Sequence, residues 1–168
     1  MGFNFTGIAI NKNYQKDIGQ FEKVLNKKFV LIEEINFHNA MSFDKPNNIC
    51  DIYFAKKCTL AFFSESVQIN LDKLSKDRQI AIFTYSEISM TFELKVSDNG
   101  KTTRFVKEFN GREQNNEGKT MENEKEDFDI STIVIQGISN TISREFWKIG
   151  IEEEEIAFRF KISQLLNK

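Results

Sequence analysis

The stretch "ISMTFELKVSDNGKTTRFVKEF", residues 88–109, constrains the fold of this chain more than any other. Ile88, Met90, Phe92, Leu94 and Val96 alternate with Ser89, Thr91, Glu93 and Lys95, the period-two pattern of a strand with one apolar and one wet face. Asn99-Gly100 follows, and these two residue types tolerate the positive φ angles that a two-residue hairpin turn demands. Closing a hairpin there pairs Leu94 with Phe105 and Met90 with Phe109, so that apolar side chains meet across the strands. An antiparallel sheet is the expected foundation.

Other segments extend that sheet. Phe3, Phe5, Gly7 and Ala9 alternate with Asn4, Thr6, Ile8 and Ile10, as in a strand covered on both faces. "KFVLIEEINF", with Phe29, Leu31 and Glu33 on one face, is strand-like, and "HNAMSFDKPNN" after it reads as a loop. Residues 50–56 and 58–63 read as short strands joined around Lys56 and Lys57, "QIAIFTY" as a buried strand and "IAFRFKIS" as a last one. Between them the period changes. Tyr14, Ile18, Phe21 and Leu25 form one helical stripe that Asn13 can cap and Asn26 can end. Residues 71–76 suit a short helix, "ISTIVIQGI" suits either strand or helix, and Ile142, Phe146 and Ile149 share a helical face ahead of Gly150. Strands and helices without regular βαβ alternation imply an α+β fold, a mainly antiparallel sheet of about seven or eight strands with two or three helices packed on it. With 168 residues, of which 17 are Phe, the chain can bury a continuous core as a single domain spanning 1–168.

The compartment follows from the cysteines and the amino terminus. Cys50 and Cys58 sit several pairs apart in the proposed hairpin and do not meet, so both are expected as free thiols in a reducing, cytoplasmic setting. "MGFNFTGIAINKN" lacks the basic and long apolar regions of a signal peptide, and no stretch approaches a membrane span. Abundant Lys, Asn, Ile and Phe with a single Pro resemble the residue bias of an AT-rich, bacterial genome.

Gly118-Lys119-Thr120 has the look of the end of a phosphate-binding loop. The first Gly of that motif would fall at position 113, where Glu113 stands, and "MENEKED" follows where a supporting helix should open. Residues 111–129 hold three basic and seven acidic groups, so residues 110–129 read as a polar, acidic and mobile loop. His38 is the sole imidazole, with no nucleophile motif around it and too few companions for zinc, and no calcium-loop pattern occurs. No metal, cofactor or catalytic residue is nominated, and enzymatic activity is unmotivated.

Charge is distributed unevenly. Residues 1–110 carry 15 Lys/Arg against 13 Asp/Glu, and residues 111–168 carry 8 against 12, so the acidity lies late in the chain. No basic face interleaved with aromatics suggests nucleic acid. The expectation is a small cytosolic binding protein, of an inhibitor or immunity type, that presents Glu122, Glu124, Glu126, Asp127, Asp129 and the run Glu152, Glu153, Glu154 and Glu155 to a basic protein partner. The alternative is a domain holding a small apolar ligand, with or without catalysis, in a cavity lined by Phe83, Phe92 and Phe105. The sequence specifies no oligomeric state.

Overall fold

The structure, a computed structural model, describes residues 2–64, 71–151 and 155–164. Its centre is strand β1 (Asn4–Ile10), which alternation equips for burial on both faces: Phe5 and Ala9 enter one core, Ile8 and Ile10 the other. Strands β2 (Lys27–Asn36), β3 (Ile49–Phe54), β4 (Thr59–Phe63), β5 (Ile80–Ser86), β6 (Thr91–Asp98), β7 (Lys101–Phe109), β8 (Arg112–Gly118) and β9 (Ile156–Gln164) complete a nine-stranded sheet in the order β2-β9-β3-β4-β1-β5-β6-β7-β8. Every neighbouring pair is antiparallel. The α+β class with an antiparallel sheet is as expected, but the described residues form nine strands, more than the seven or eight anticipated.

Among the described residues five helical segments accompany the sheet, α1 (Ile18–Leu25), α2 (Phe37–Ala40), α3 (Leu71–Leu74), α4 (Ile130–Ile142) and α5 (Phe146–Ile151), against the two or three expected. They lie on both faces. On one, α2, α4 and α5 cover Phe5, Phe62, Phe83, Leu94 and Val106; on the other, α1 and α3 cover Ile8, Ile52, Phe63 and Phe160. Helix α1 is eight residues long, too short to persist alone, and it is held by Phe21 and Leu25 in the core beneath it. Asp17 caps it through the Gln20 N–H, in place of the expected Asn13, and Asn26 ends it with φ of 52°. Tyr14 therefore precedes the helix, its ring fully buried against Phe21.

The β6–β7 hairpin turns at Asn99 and Gly100 with positive φ at both, as the sequence implies. Its register differs from expectation. Asp98 pairs with Lys101 and Ser97 with Thr102, but a bulge then shifts the ladder, so Leu94 faces Val106 and Lys95 faces Phe105. The shift turns Arg104 and Val106, at 3% and 0% exposure, to the interior. Met90 lies outside the strand, and Ile88 and Met90 are exposed.

The segment expected as a loop after Phe109 is strand β8 for residues Arg112–Gly118, paired with β7. It is the sheet's last strand and nearly all of it is exposed, so neither face needed apolar residues. "HNAMSFDKPNN" likewise opens inside helix α2, capped by Asn36. The ambiguous "ISTIVIQGI" is the start of α4. Cys50 and Cys58 are both free and buried, and they fall in different cores on opposite faces of the sheet. Among the described residues no helix is long and apolar enough to cross a membrane.

Candidate functional site

Helix α4 begins at Asp129, whose carboxylate accepts the Thr132 N–H at 2.7 Å and the Ser131 hydroxyl at 2.8 Å. The Thr132 N–H is the main cause that holds this carboxyl below its ordinary value. The helix lies close to the sheet because Gly137 has no side chain: a Cβ there would stand 2.2 Å from Leu94 Cδ2. It ends at Ser143 with φ of 56°, and the Ser139 hydroxyl accepts the Phe146 N–H to start α5. The carboxyl half of α4 thus stands at a fixed height over the turn end of β6 and β7.

The facing wall is residues 119–123. Arg104 anchors it from the sheet: Nη2 lies 2.6 Å from Glu124 Oε1, Nε 3.2 Å from Glu124 Oε2, and Nη1 2.8 Å from the Glu117 carbonyl. Glu124 Oε2 also accepts the Met121 N–H at 2.9 Å, so one carboxylate both neutralises the guanidinium and closes the turn. Asn140 Nδ2 donates to the Glu122 carbonyl at 3.2 Å and ties the turn back to α4. Lys119 N–H reaches the Thr103 carbonyl at 2.9 Å.

Between these walls lies a cleft of about 1080 Å³, whose lining also includes Gln79, Val96, Asp98, Arg144 and Glu145. Its lining is chiefly amide, hydroxyl and charge, and it contains no His or Cys. Some of the charges are committed. Arg144 donates to the Tyr53 hydroxyl at 2.7 Å and to Glu155 at 2.8 Å, and Glu145 pairs with Lys148 at 2.7 Å. The side chains of Gln79, Asp98, Lys119, Glu122 and Asn123 make no hydrogen bond or ion pair among the described residues. Asp98 and Glu122 against Lys119 leave the uncommitted lining net negative.

The acids singled out in the sequence have separated roles. Glu122, Glu126 and Asp127 are exposed. Glu124 is inward, its side chain 4% exposed; Asp129 caps α4; Glu155 pairs with Arg144. Glu152, Glu153 and Glu154 lie outside the described residues. Phe83 and Phe92 are buried in the α4-side core, Phe83 edge-on to Phe5 and Phe62, and Phe92 against Tyr85. Phe105 projects from the opposite face, since it neighbours the inward Val106, and the three rings do not line one space. His38 is exposed on α2 and Trp147 packs on Phe3 and Phe146. The cleft residues come from separate segments and carry no local motif; the Gly118-Lys119-Thr120 triplet that stood out for phosphate chemistry supplies two of them, Lys119 and Thr120.

No group of three or more His, Cys, Asp or Glu suited to a metal ion occurs among the described residues. In comparisons with known proteins, no family model, no curated protein and no solved structure matches the chain.

Proposed function

We propose that the protein is a binding protein whose cleft beside α4 receives a polar, basic loop of a partner protein. The observation that carries this reading is the cleft's combination of size and lining. At about 1080 Å³ it lies at the upper end of ordinary ligand pockets, yet those are mostly apolar and this one is not. A polypeptide loop uses such a groove well: its backbone and side chains find donors and acceptors in the side-chain amides of Gln79 and Asn123, which have no partner among the described residues. Asp98 and Glu122 favour a positive partner, and the exposed Glu126 and Asp127 extend the acidity along the same connection. Among the described residues the cleft offers no nucleophile and base in partnership, which favours recognition over chemistry.

The experiment is a paired pull-down from lysate of the source cells, at low and moderate salt, with the wild type and the double variant Asp98→Asn/Glu122→Gln as baits. Expected is a stoichiometric basic partner that the wild type retains at low salt and the variant retains at least tenfold less, as about 1.4 kcal/mol implies. The same proteins recovered equally on both baits would remove the reading.

A further inference from the structure

The two ends of the sheet differ in chemistry. Strand β8 ends one side with Arg112, Glu113, Gln114, Asn115, Asn116 and Glu117, a polar edge of the kind that resists pairing with another chain. Strand β2 ends the other with "KKFVLIEEIN", and Val30, Leu31 and Ile32 are 57%, 56% and 50% exposed. Three consecutive exposed apolar residues on an edge strand are a template for strand addition.

The open backbone groups of this edge can be located. Ile162 donates its N–H to the Asn48 carbonyl at 2.7 Å, away from β2, so its partner Phe29 makes no ladder bond to β9. Phe29 N–H instead meets Glu22 Oε1 at 2.9 Å. By alternation, Lys27 and Leu31 also direct their backbone groups outward.

We propose that two copies of this chain join through their β2 edges, antiparallel about a two-fold axis at Val30, to form one sheet continuous across both. The argument is self-complementarity of charge and face. β2 reads Lys27-Lys28, then apolar residues, then Glu33-Glu34, so reversing one copy against another brings each Lys pair onto a Glu pair. The faces match only because of the bulge. The register with β9 skips from Leu31 to Glu33, leaving Ile32 as the extra residue. Lys28, Val30 and Glu33 then share one face, and Lys27, Phe29, Leu31 and Glu34 the other. With Ile32 set aside in both copies, Val30 meets Val30 of the second copy, Phe29 meets Leu31, Lys28 meets Glu33, and Lys27 meets Glu34, every pair on a common face. An unbulged strand would put each Lys and its Glu on opposite faces. The Leu31 carbonyl of the second copy takes the Phe29 N–H from Glu22, which keeps its salt bridge to Lys28 at 3.0 Å.

Lys27 and Glu34 make no ion pair within the chain among the described residues, so reversing their charge tests the register without disturbing the fold. The experiment is sedimentation equilibrium over a concentration series for the wild type, Lys27→Glu, Glu34→Lys and the equimolar mixture of the two variants, with circular dichroism to verify folding. The wild type is expected to dimerise, and each variant alone, with like charges opposed at both ends, to associate at least tenfold more weakly. The mixture restores Glu opposite Lys at both ends and is expected to regain the wild-type affinity. Val30→Lys, an exposed change on the axis itself, is expected to give a folded monomer. A wild type that stays monomeric throughout overturns the proposal, and so do variants that dimerise as tightly as the wild type or a mixture that gains nothing.

Discussion

Lys45 Nζ stands 2.9 Å from Asp51 Oδ2, with the two side chains 2% and 0% exposed. The same carboxylate receives Arg159 through Nε at 2.9 Å and Nη2 at 3.0 Å, and Lys45 also donates to the Ala40 carbonyl at 2.6 Å. Burial pushes the Lys45 ammonium below its ordinary value, with Asp51 opposing it. Removing the carboxylate therefore strands a buried cation. Asp51→Ala is expected to destabilise the fold by about 3–5 kcal/mol, whereas Lys45→Met/Asp51→Leu, which removes both buried charges, costs less than the single change. Urea midpoints of the two variants check the order, and a double variant weaker than the single one would falsify the account.

A second buried pair supports the cleft. Arg104 and Glu124 are each 4% exposed at the side chain, and Glu124 also holds the Met121 N–H. Glu124→Ala is expected to cost about 3–5 kcal/mol, because the guanidinium stays buried with its main counter-charge gone. The loss is local as well as global. Amide hydrogen exchange should quicken first at residues 119–124, before the strands β5 and β6; uniform quickening across the sheet would show that the pair does not specifically hold the turn.

Arg104 also explains what could and could not be read from the sequence. The alternation of residues 88–96 and the Asn99-Gly100 turn correctly gave the hairpin, because both are local signals. The bulge that shifts Leu94 onto Val106 left no such mark. It turns a charged residue inward, and a charged residue inside is legible only with its partner Glu124 in view, across the whole of β8. Strand β8 carries no apolar period, because an edge strand exposed on both faces needs none. The cleft has no motif since its walls come from the β6 end, residues 119–123 and α4, which only the fold brings together. Asp129 stood three residues ahead of Thr132 at the start of an apolar run, a capping signal that its charge obscured.

Two glycines set distances between layers. A Cβ on Gly7 would lie 2.2 Å from the Ala61 carbonyl oxygen and 2.7 Å from Phe83 Cζ, and a backbone oxygen cannot step aside. Gly7→Ala is expected to spread the central strands and leave little soluble, folded protein. Gly137→Ala meets the Leu94 side chain, which can rotate, so the gain of about 1 kcal/mol in helix propensity is opposed by about 1–3 kcal/mol of overpacking. It should fold with a modestly lower midpoint. Thermal melts of both separate the cases, and a Gly7→Ala protein as stable as wild type would contradict the close approach of β1 and β4.

The asparate cap makes a smaller, separate contribution at the start of α4. Asp129→Ala is expected to lower stability by about 1 kcal/mol at neutral pH, and Asp129→Asn by less, since an amide oxygen still accepts the Thr132 N–H. The carboxyl is held below 3.8, its ordinary value, so its share is present above that pH and is lost as pH falls through the lowered value. Urea midpoints of wild type and Asp129→Ala should therefore converge in acid; a gap that stays constant would place the cost elsewhere than the ionised cap.

Alkaline stability tests the buried proton donors together. Burial pushes the Cys58 thiol up to about 11 from 9.0, and the Tyr53 and Tyr85 hydroxyls up to about 12 from 10.0. Arg144 partly counteracts burial at Tyr53, while Glu87 reinforces it at Tyr85. Cys50, in the other core, is raised well above its ordinary value by burial as well. In each case the unfolded chain loses its proton at a lower pH than the folded one. The stability these groups contribute is full below about pH 9 and declines as pH rises, first through the thiols and then, above about pH 10, through the phenols, at about 1.4 kcal/mol per pH unit for each group in its window. Tyr53→Phe removes one titrating group, so its stability should fall less steeply than the wild type's between about pH 10 and 12, even though its neutral-pH midpoint drops with the lost Arg144 bond. Parallel pH profiles for the two proteins would mean that the Tyr53 hydroxyl titrates no differently folded than unfolded.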